Sequence, residues 1–328
     1  MLKLLSVSDD AWSMQKFGNN ADKIWGFLKN NHLDGLELVR CLEEQTKAVP
    51  GEKIVGRHMP FWPAWLDFWR GGHEELLRQF GSREDCRWYY MADTPEEFIE
   101  KRRAELAGGM DMGIQYAVFH VSHVQLEHCY TGRYTYTDTE IVDTYADMMN
   151  EMLRGVNADY ALLFENHWFP GLTFLDGKLA MRLLEKVEHP NVGFVLDISH
   201  LTNTNPKIRT EEEAVEYIMS VLDRMGEAAN HIRAIHLNNS AGAMARVLEQ
   251  KTEPPQGGRF EDRLTHAMKY VSGMDPHRPV TSGNIRRVID RVQPGFLVYE
   301  LASATLEELQ SAVEAQNLSV CVESKNRG

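Results

Sequence analysis

The sequence predicts an α/β fold, a single (β/α)8 barrel, and two observations carry that expectation. Eight short β-type runs alternate with helix-type segments from one end of the chain to the other. A length of 328 residues and a hydrophobic share of 43% supply enough core for one large barrel. The runner-up is a doubly wound open sheet, and the count of eight favours closure over it.

In chain order the runs are LKLLSVS (2–8), DGLELV (34–39), KIVGRHMPF (53–61), IQYAVFHVSH (114–123), ALLFENH (161–167), VGFVLDISH (192–200), IRAIHLNN (232–239) and FLVYELAS (296–303). Their apolar stretches are nearly continuous, as parallel strands covered on both faces require. Between them, apolar residues recur at three- and four-residue spacing over 20–31, 94–107, 138–153, 178–188, 210–225 and 305–314, which predicts helices. One helix start is explicit in DTPEEF, where Asp93 or Thr94 can cap, Pro95 enters the first turn and acids follow. The whole chain, 1–328, reads as one domain. Its irregularity is 238–274, containing TEPPQGGRF, too long for an ordinary strand-to-helix connection and expected to be a loop insertion that covers an active site or is disordered.

Composition disfavours several classes of partner. A formal net charge of -13 disfavours nucleic acid, because neutralising phosphates needs a basic surface. No run approaches the roughly 18 apolar residues of a membrane span, so the expectation is a soluble, cytoplasmic protein with no membrane partner. Cys41, Cys86, Cys129 and Cys321 are scattered without a CxxC pair and are read as reduced thiols.

Chemistry in such a barrel sits at the C-terminal ends of the strands. The third run reaches His58, the fourth His120 with His123 nearby, the fifth Glu165, the sixth Asp197 and His200, the seventh His236 and the eighth Glu300. Each has a bland reading as a hydrogen-bonded core residue, and Glu300 can pair with an Arg such as Arg233. Six successive strands ending this way outweigh those readings. Converging carboxylates cannot all stay ionised in a dry pocket without protons or cations. Mixed imidazole and carboxylate donors suit Zn, Mn, Fe or Co. His167, two residues beyond Glu165, is a candidate proton-transfer group. The stretch HMPFWPAWLDFW, with Phe61, Trp62, Trp65, Phe68 and Trp69, combines core positions with a surface suited to stacking on sugar rings, aryl groups or bases.

On HMPF, FENH, LDISH, HLNNS, DPHRPVTSGNI and VYEL the chain resembles the xylose-isomerase-like TIM barrel superfamily, which includes sugar isomerases and epimerases and the endonuclease IV (AP endonuclease family 2) proteins. The endonuclease IV resemblance implies three zinc ions on His58, His120, Glu165, Asp197, His200, His236, Asp275, His277 and Glu300, with Asp262 and His266 as rivals for the Asp275 and His277 positions. The single-metal sugar isomerase resemblance implies Mn, Co or Mg on Glu165, Asp197, His236 and Glu300, with His200 touching substrate.

The leading expectation is therefore a metal-dependent enzyme acting on a sugar, polyol or glycoside. Glu165, Glu300 or His167 would move a proton next to a metal-polarised carbonyl, as in isomerisation, epimerisation or the β-elimination of a lyase. Substrate contacts fall to His200, Trp62, His58 and His120. The alternatives are a trinuclear zinc phosphodiesterase and a non-catalytic barrel subunit. Association into homo-oligomers is left open, because no interface can be named.

Overall fold

Pairing of the last strand with the first decides between a barrel and an open sheet. The computed structural model describes residues 1–40 and 49–321. In it, parallel strands β1 (Leu2–Ser8), β2 (Gly35–Val39), β3 (Ile54–His58), β4 (Tyr116–His120), β5 (Ala161–Glu165), β6 (Val192–Asp197), β7 (Ile232–Leu237) and β8 (Phe296–Tyr299) neighbour one another in sequence order, and β8 pairs with β1. The barrel is closed, and its helices lie between successive strands.

Side chains alternate across a strand, so every second residue enters the barrel. Leu4, Tyr116, Val118, Ala161, Leu163, Val195, Ala234 and Val298 form a buried cluster of their own, the barrel interior. The larger apolar cluster fills the layer between strands and helices. Each inward series ends in a polar residue: Tyr116 and Val118 lead to His120, Ala161 and Leu163 to Glu165, Val195 to Asp197, Ala234 to His236 and Val298 to Glu300. Register fixes their common height, since His120 pairs with Glu165 and Asp197 with His236.

Several helices begin on local signals. The helix Asp138–Leu153 has the expected bounds and a reciprocal capping box between Thr137 and Glu140. The helix Pro95–Met112 is capped by Thr94, with Pro95 in the first turn. The segment expected to be a loop insertion carries two helices, Ala243–Glu249 and Phe260–Met274. The Trp-rich stretch after β3 leads into three short helices, Leu66–Trp69, His73–Phe80 and Arg83–Tyr90. Trp65 and Phe68 are core there. Among the described residues no helix is long and apolar enough to cross a membrane. Cys86, Cys129 and Cys321 are free, and Cys41 lies outside the described residues.

Candidate metal centre

Glu165, at the end of β5, is the hub of the barrel mouth. Its Oε2 lies 3.1 Å from His58 Nε2 and 3.2 Å from His120 Nε2, and its Oε1 lies 3.1 Å from His200 Nδ1 and 3.3 Å from His236 Nδ1. His236 Nδ1 also approaches Glu300 Oε2 at 3.2 Å and Asp197 Oδ2 at 4.0 Å. On the far side, His200 Nε2 is 3.1 Å and His277 Nε2 is 2.9 Å from Asp275 Oδ2. All nine expected ligand positions thus converge, in four groups, Glu165, Asp197, His236 and Glu300; His58, Glu165 and His236; His200, Asp275 and His277; and His120 and His200 with His167, with donor atoms in each group within 4.8 Å.

The donors fit a divalent cation on chemical grounds. A ligating imidazole usually presents one nitrogen to the ion while the other donates to a carbonyl or carboxylate. His58 Nδ1 lies 3.1 Å from Met59 O, which leaves Nε2 facing Glu165. His236 Nε2 lies 3.1 Å from Glu37 Oε1, and its buried Nδ1 meets the surrounding carboxylates without hydrogen-bond alignment. Asn238 Nδ2 donates to Asp197 Oδ2 at 2.8 Å and to Glu300 Oε2 at 3.3 Å, holding two like charges apart.

Burial and the neighbouring charges pull each group of the cluster in opposite directions. Burial opposes ionisation of Glu165, yet His120 and His236 hold its carboxyl well below the usual range. Burial also opposes charging of His236 and His200, but Glu37 and Glu165 around the first and Asp197 and Asp275 around the second raise both strongly. Asp197 is the exception: burial, aided by Glu165, Asp275 and Glu300, lifts it to about 7 against the pull of His200.

Above this cluster opens a cavity of about 880 Å³. It is lined by His58, His120, His167, His200, His277 and Glu300, whereas Glu165 and Asp197 lie beneath, 1% and 0% exposed. His167 Nδ1 accepts the Phe169 N–H at 3.1 Å, so the ring proton of the neutral imidazole sits on Nε2. Burial, with His200 and His120 nearby, keeps that ring neutral by pushing its pKa well down. Trp62 lines the cavity with its Nε1 donating to Tyr89 O at 3.0 Å, and the Arg102 guanidinium lies 3.9 Å from its ring centroid.

Other candidates lie elsewhere. His266 is exposed, with Nδ1 2.7 Å from Tyr130 Oη, and Asp262 is exposed on the same helix, so Asp275 and His277 are the residues that join the cluster. Arg233 donates to Asn191 at the opposite end of its strand, and Glu300 meets His236 instead. His123 turns away toward Asp67. Sequence reasoning missed Glu37, Asn166 and Asn238. Glu37 is inward on β2, 0% exposed, and its Oε2 accepts from Tyr116 Oη at 2.8 Å. Asn166 accepts from Asp197 N at 2.9 Å and donates to Asp197 O at 3.2 Å, which locks the end of β6 to β5. An acid inside the apolar GLELV was the available signal for Glu37.

The family profile of the xylose isomerase-like TIM barrel matches residues 88–317, more than half of the chain. The chain belongs to that family. No curated protein sequence matches. Among solved structures, the fold of this family member is similar to that of an L-ribulose 3-epimerase at 10% identity and a TM-score of 0.52, covering 97% of this chain and 92% of the other. It is also similar to endonuclease IV from Thermus thermophilus, at 13% identity and a TM-score of 0.50, covering 98% and 99%. A third is the IolI protein with a zinc atom, at 13% identity and a TM-score of 0.50, covering 97% and 96%.

Proposed function

We propose that this family member is a divalent-metal-dependent enzyme that acts on a sugar, polyol or glycoside by moving a proton beside a carbonyl. The observation that carries the reading is the group of Glu165, Asp197, His236 and Glu300, the last of which reaches a cavity that no Lys or Arg lines among the described residues. A cation held by those four residues, Mn, Co or Mg if alone, would polarise the carbonyl and its neighbouring hydroxyl. The remaining work falls to the chain's own side chains. Glu300 is the carboxylate of the four that faces the cavity, and although burial opposes its charge, His277 and His236 keep it ionised. It accepts the proton from the carbon next to the carbonyl. His167 presents its Nε2–H to the same cavity as a hydrogen-bond donor to the oxygen on which charge develops, His200 and His120 orient hydroxyls, and the proton taken up by Glu300 returns to carbon. Isomerisation, epimerisation and β-elimination share this step. L-ribulose 3-epimerase is built on the same fold, which supports a keto sugar as the class.

The test is elemental analysis of protein purified without chelator, followed by proton NMR of keto sugars incubated with it in D2O. The expected result is bound metal, exchange of a C–H beside the carbonyl, and a drop of about 100-fold or more in exchange for Glu300→Gln. Protein without metal, or unchanged metal content in Glu165→Gln and Asp197→Asn, would overturn the reading. A second reading, a trinuclear zinc phosphodiesterase, is favoured by the three additional groups, His58 with Glu165 and His236, His200 with Asp275 and His277, and His120 with His167 and His200. Three tightly held zinc ions together with cleavage of abasic-site DNA would establish it in place of the first.

A further inference from the structure

The cavity above the metal-ligand cluster has two unlike halves. At the cluster end its lining is imidazole and carboxylate. Trp168 and Phe169 stack on His167, with ring centroids 4.1 and 5.1 Å away, and carry the lining from the cluster to an apolar part that includes Trp62, Leu264, Met268 and Val271. The last three lie at four- and three-residue spacing on the helix Phe260–Met274, one stripe of the helix that the insertion contributes. Met268 is 52% exposed, a large apolar side chain left facing the opening.

Volume, charge and hydrogen-bonding capacity narrow the occupant. About 880 Å³ suits a drug-sized ligand and is far more than one sugar ring fills. No Lys or Arg lines the cavity among the described residues, and its basic imidazoles, His200 and His277, are both held by Asp275 at the cluster end, so a phosphorylated or carboxylated extension lying along the apolar part would be buried without a counter-charge. A second sugar ring fits no better, because its hydroxyls would meet apolar walls, at roughly 1–3 kcal/mol for each polar group left unpaired. Aromatic walls offer ring faces and edges to a planar apolar group.

We propose that the substrate carries a neutral, planar apolar group, such as an aryl aglycone, attached to the sugar-like part that reaches the metal ligands, and that the Phe260–Met274 helix selects for it. The substituent rests on the sugar-type reading above, but its recognition is a property of the apolar wall.

The experiment is calorimetric titration of the full-length protein, purified without chelator and supplied with Mn, with phenyl β-D-glucopyranoside, methyl β-D-glucopyranoside and glucose 6-phosphate, with metal content measured on the same samples. The phenyl glucoside is expected to bind about 10-fold or more tightly than the methyl glucoside, as burial of a ring implies. Met268→Asp and Leu264→Asp, both at partly exposed positions, are expected to erase that preference with metal content unchanged. Equal affinity for the two glucosides, tighter binding of the phosphate, absence of binding, or a preference that survives both substitutions would overturn the proposal. Metal present without an aryl preference defeats this inference alone. An aryl preference in protein that holds no metal defeats the catalytic reading alone.

Discussion

Glu37 and His236 face each other inside the barrel, with His236 Nε2 3.1 Å from Glu37 Oε1 and both side chains fully buried. The other imidazole nitrogen is thereby aimed at Glu165 and Glu300, the arrangement in which an outer carboxylate sets the tautomer and basicity of a metal-binding His. Glu37→Gln keeps the shape and removes the charge. We expect metal affinity to fall roughly 10- to 100-fold, measured by competition with a chromophoric chelator, with little change in the far-ultraviolet circular dichroism. Unaltered affinity would show that Glu37 serves only Tyr116.

The proposed metal site implies a stability consequence of its own. A ligand that binds only the folded state adds about 2.7 kcal/mol when its free concentration is about 100 times Kd. Dialysis against a chelator is therefore expected to lower the melting temperature, and Zn or Mn to restore it. The Glu165→Gln variant is expected to show no response to added ion. A melting temperature indifferent to chelation and ion alike in the wild type would contradict the donor assignment.

Two glycines give opposite expectations. A Cβ on Gly56 would lie 2.2 Å from the Tyr116 ring inside the barrel, so Gly56→Ala must displace the ring whose hydroxyl donates to Glu37. Overpacking of this kind costs about 1–3 kcal/mol, and metal affinity should fall with it. Gly26 lies within the helix Ala21–Asn30 with open space around its Cβ position, so Gly26→Ala is expected to stabilise by about 0.5–1 kcal/mol. Denaturant titration of both variants checks the difference, and equal signs would contradict it.

Legibility in the sequence followed the strength of the local physics. Apolar runs ending in Asp, Glu or His located six strand ends because a barrel interior cannot accept those residues before its mouth without a partner. Glu37 escaped because it has such a partner: it sits one layer deeper, among apolar neighbours, and only the fold brings His236 and Tyr116 to it. The helix Phe260–Met274 has apolar positions at helical spacing, but the Pro and Gly residues before it masked the pattern and suggested an irregular loop. Asn166 and Asn238 carry no signal in the sequence, since their roles depend on the side-by-side ends of β5, β6 and β7.

His123 provides a pH test outside the ligand cluster. Its Nδ1 accepts the Leu66 N–H at 3.3 Å, and its Nε2 lies 3.7 Å from Asp67 Oδ2, with His128 and Arg70 the other charged groups that act on it. Burial lowers its pKa to about 4 despite the pull of Asp67, from 6.5 in the unfolded chain. Between those values the unfolded state binds the proton and the folded state does not. The contribution to stability is therefore complete above pH 6.5 and is lost as pH falls toward 4. At 1.36 kcal/mol per unit the loss approaches about 3 kcal/mol. Other groups titrate in the same window, so the informative quantity is the difference between wild type and His123→Gln. Chemical denaturation at pH 7, 5.5 and 4.5 should show the wild type losing more stability than the variant on acidification. Parallel curves would mean that His123 is not buried as a neutral ring.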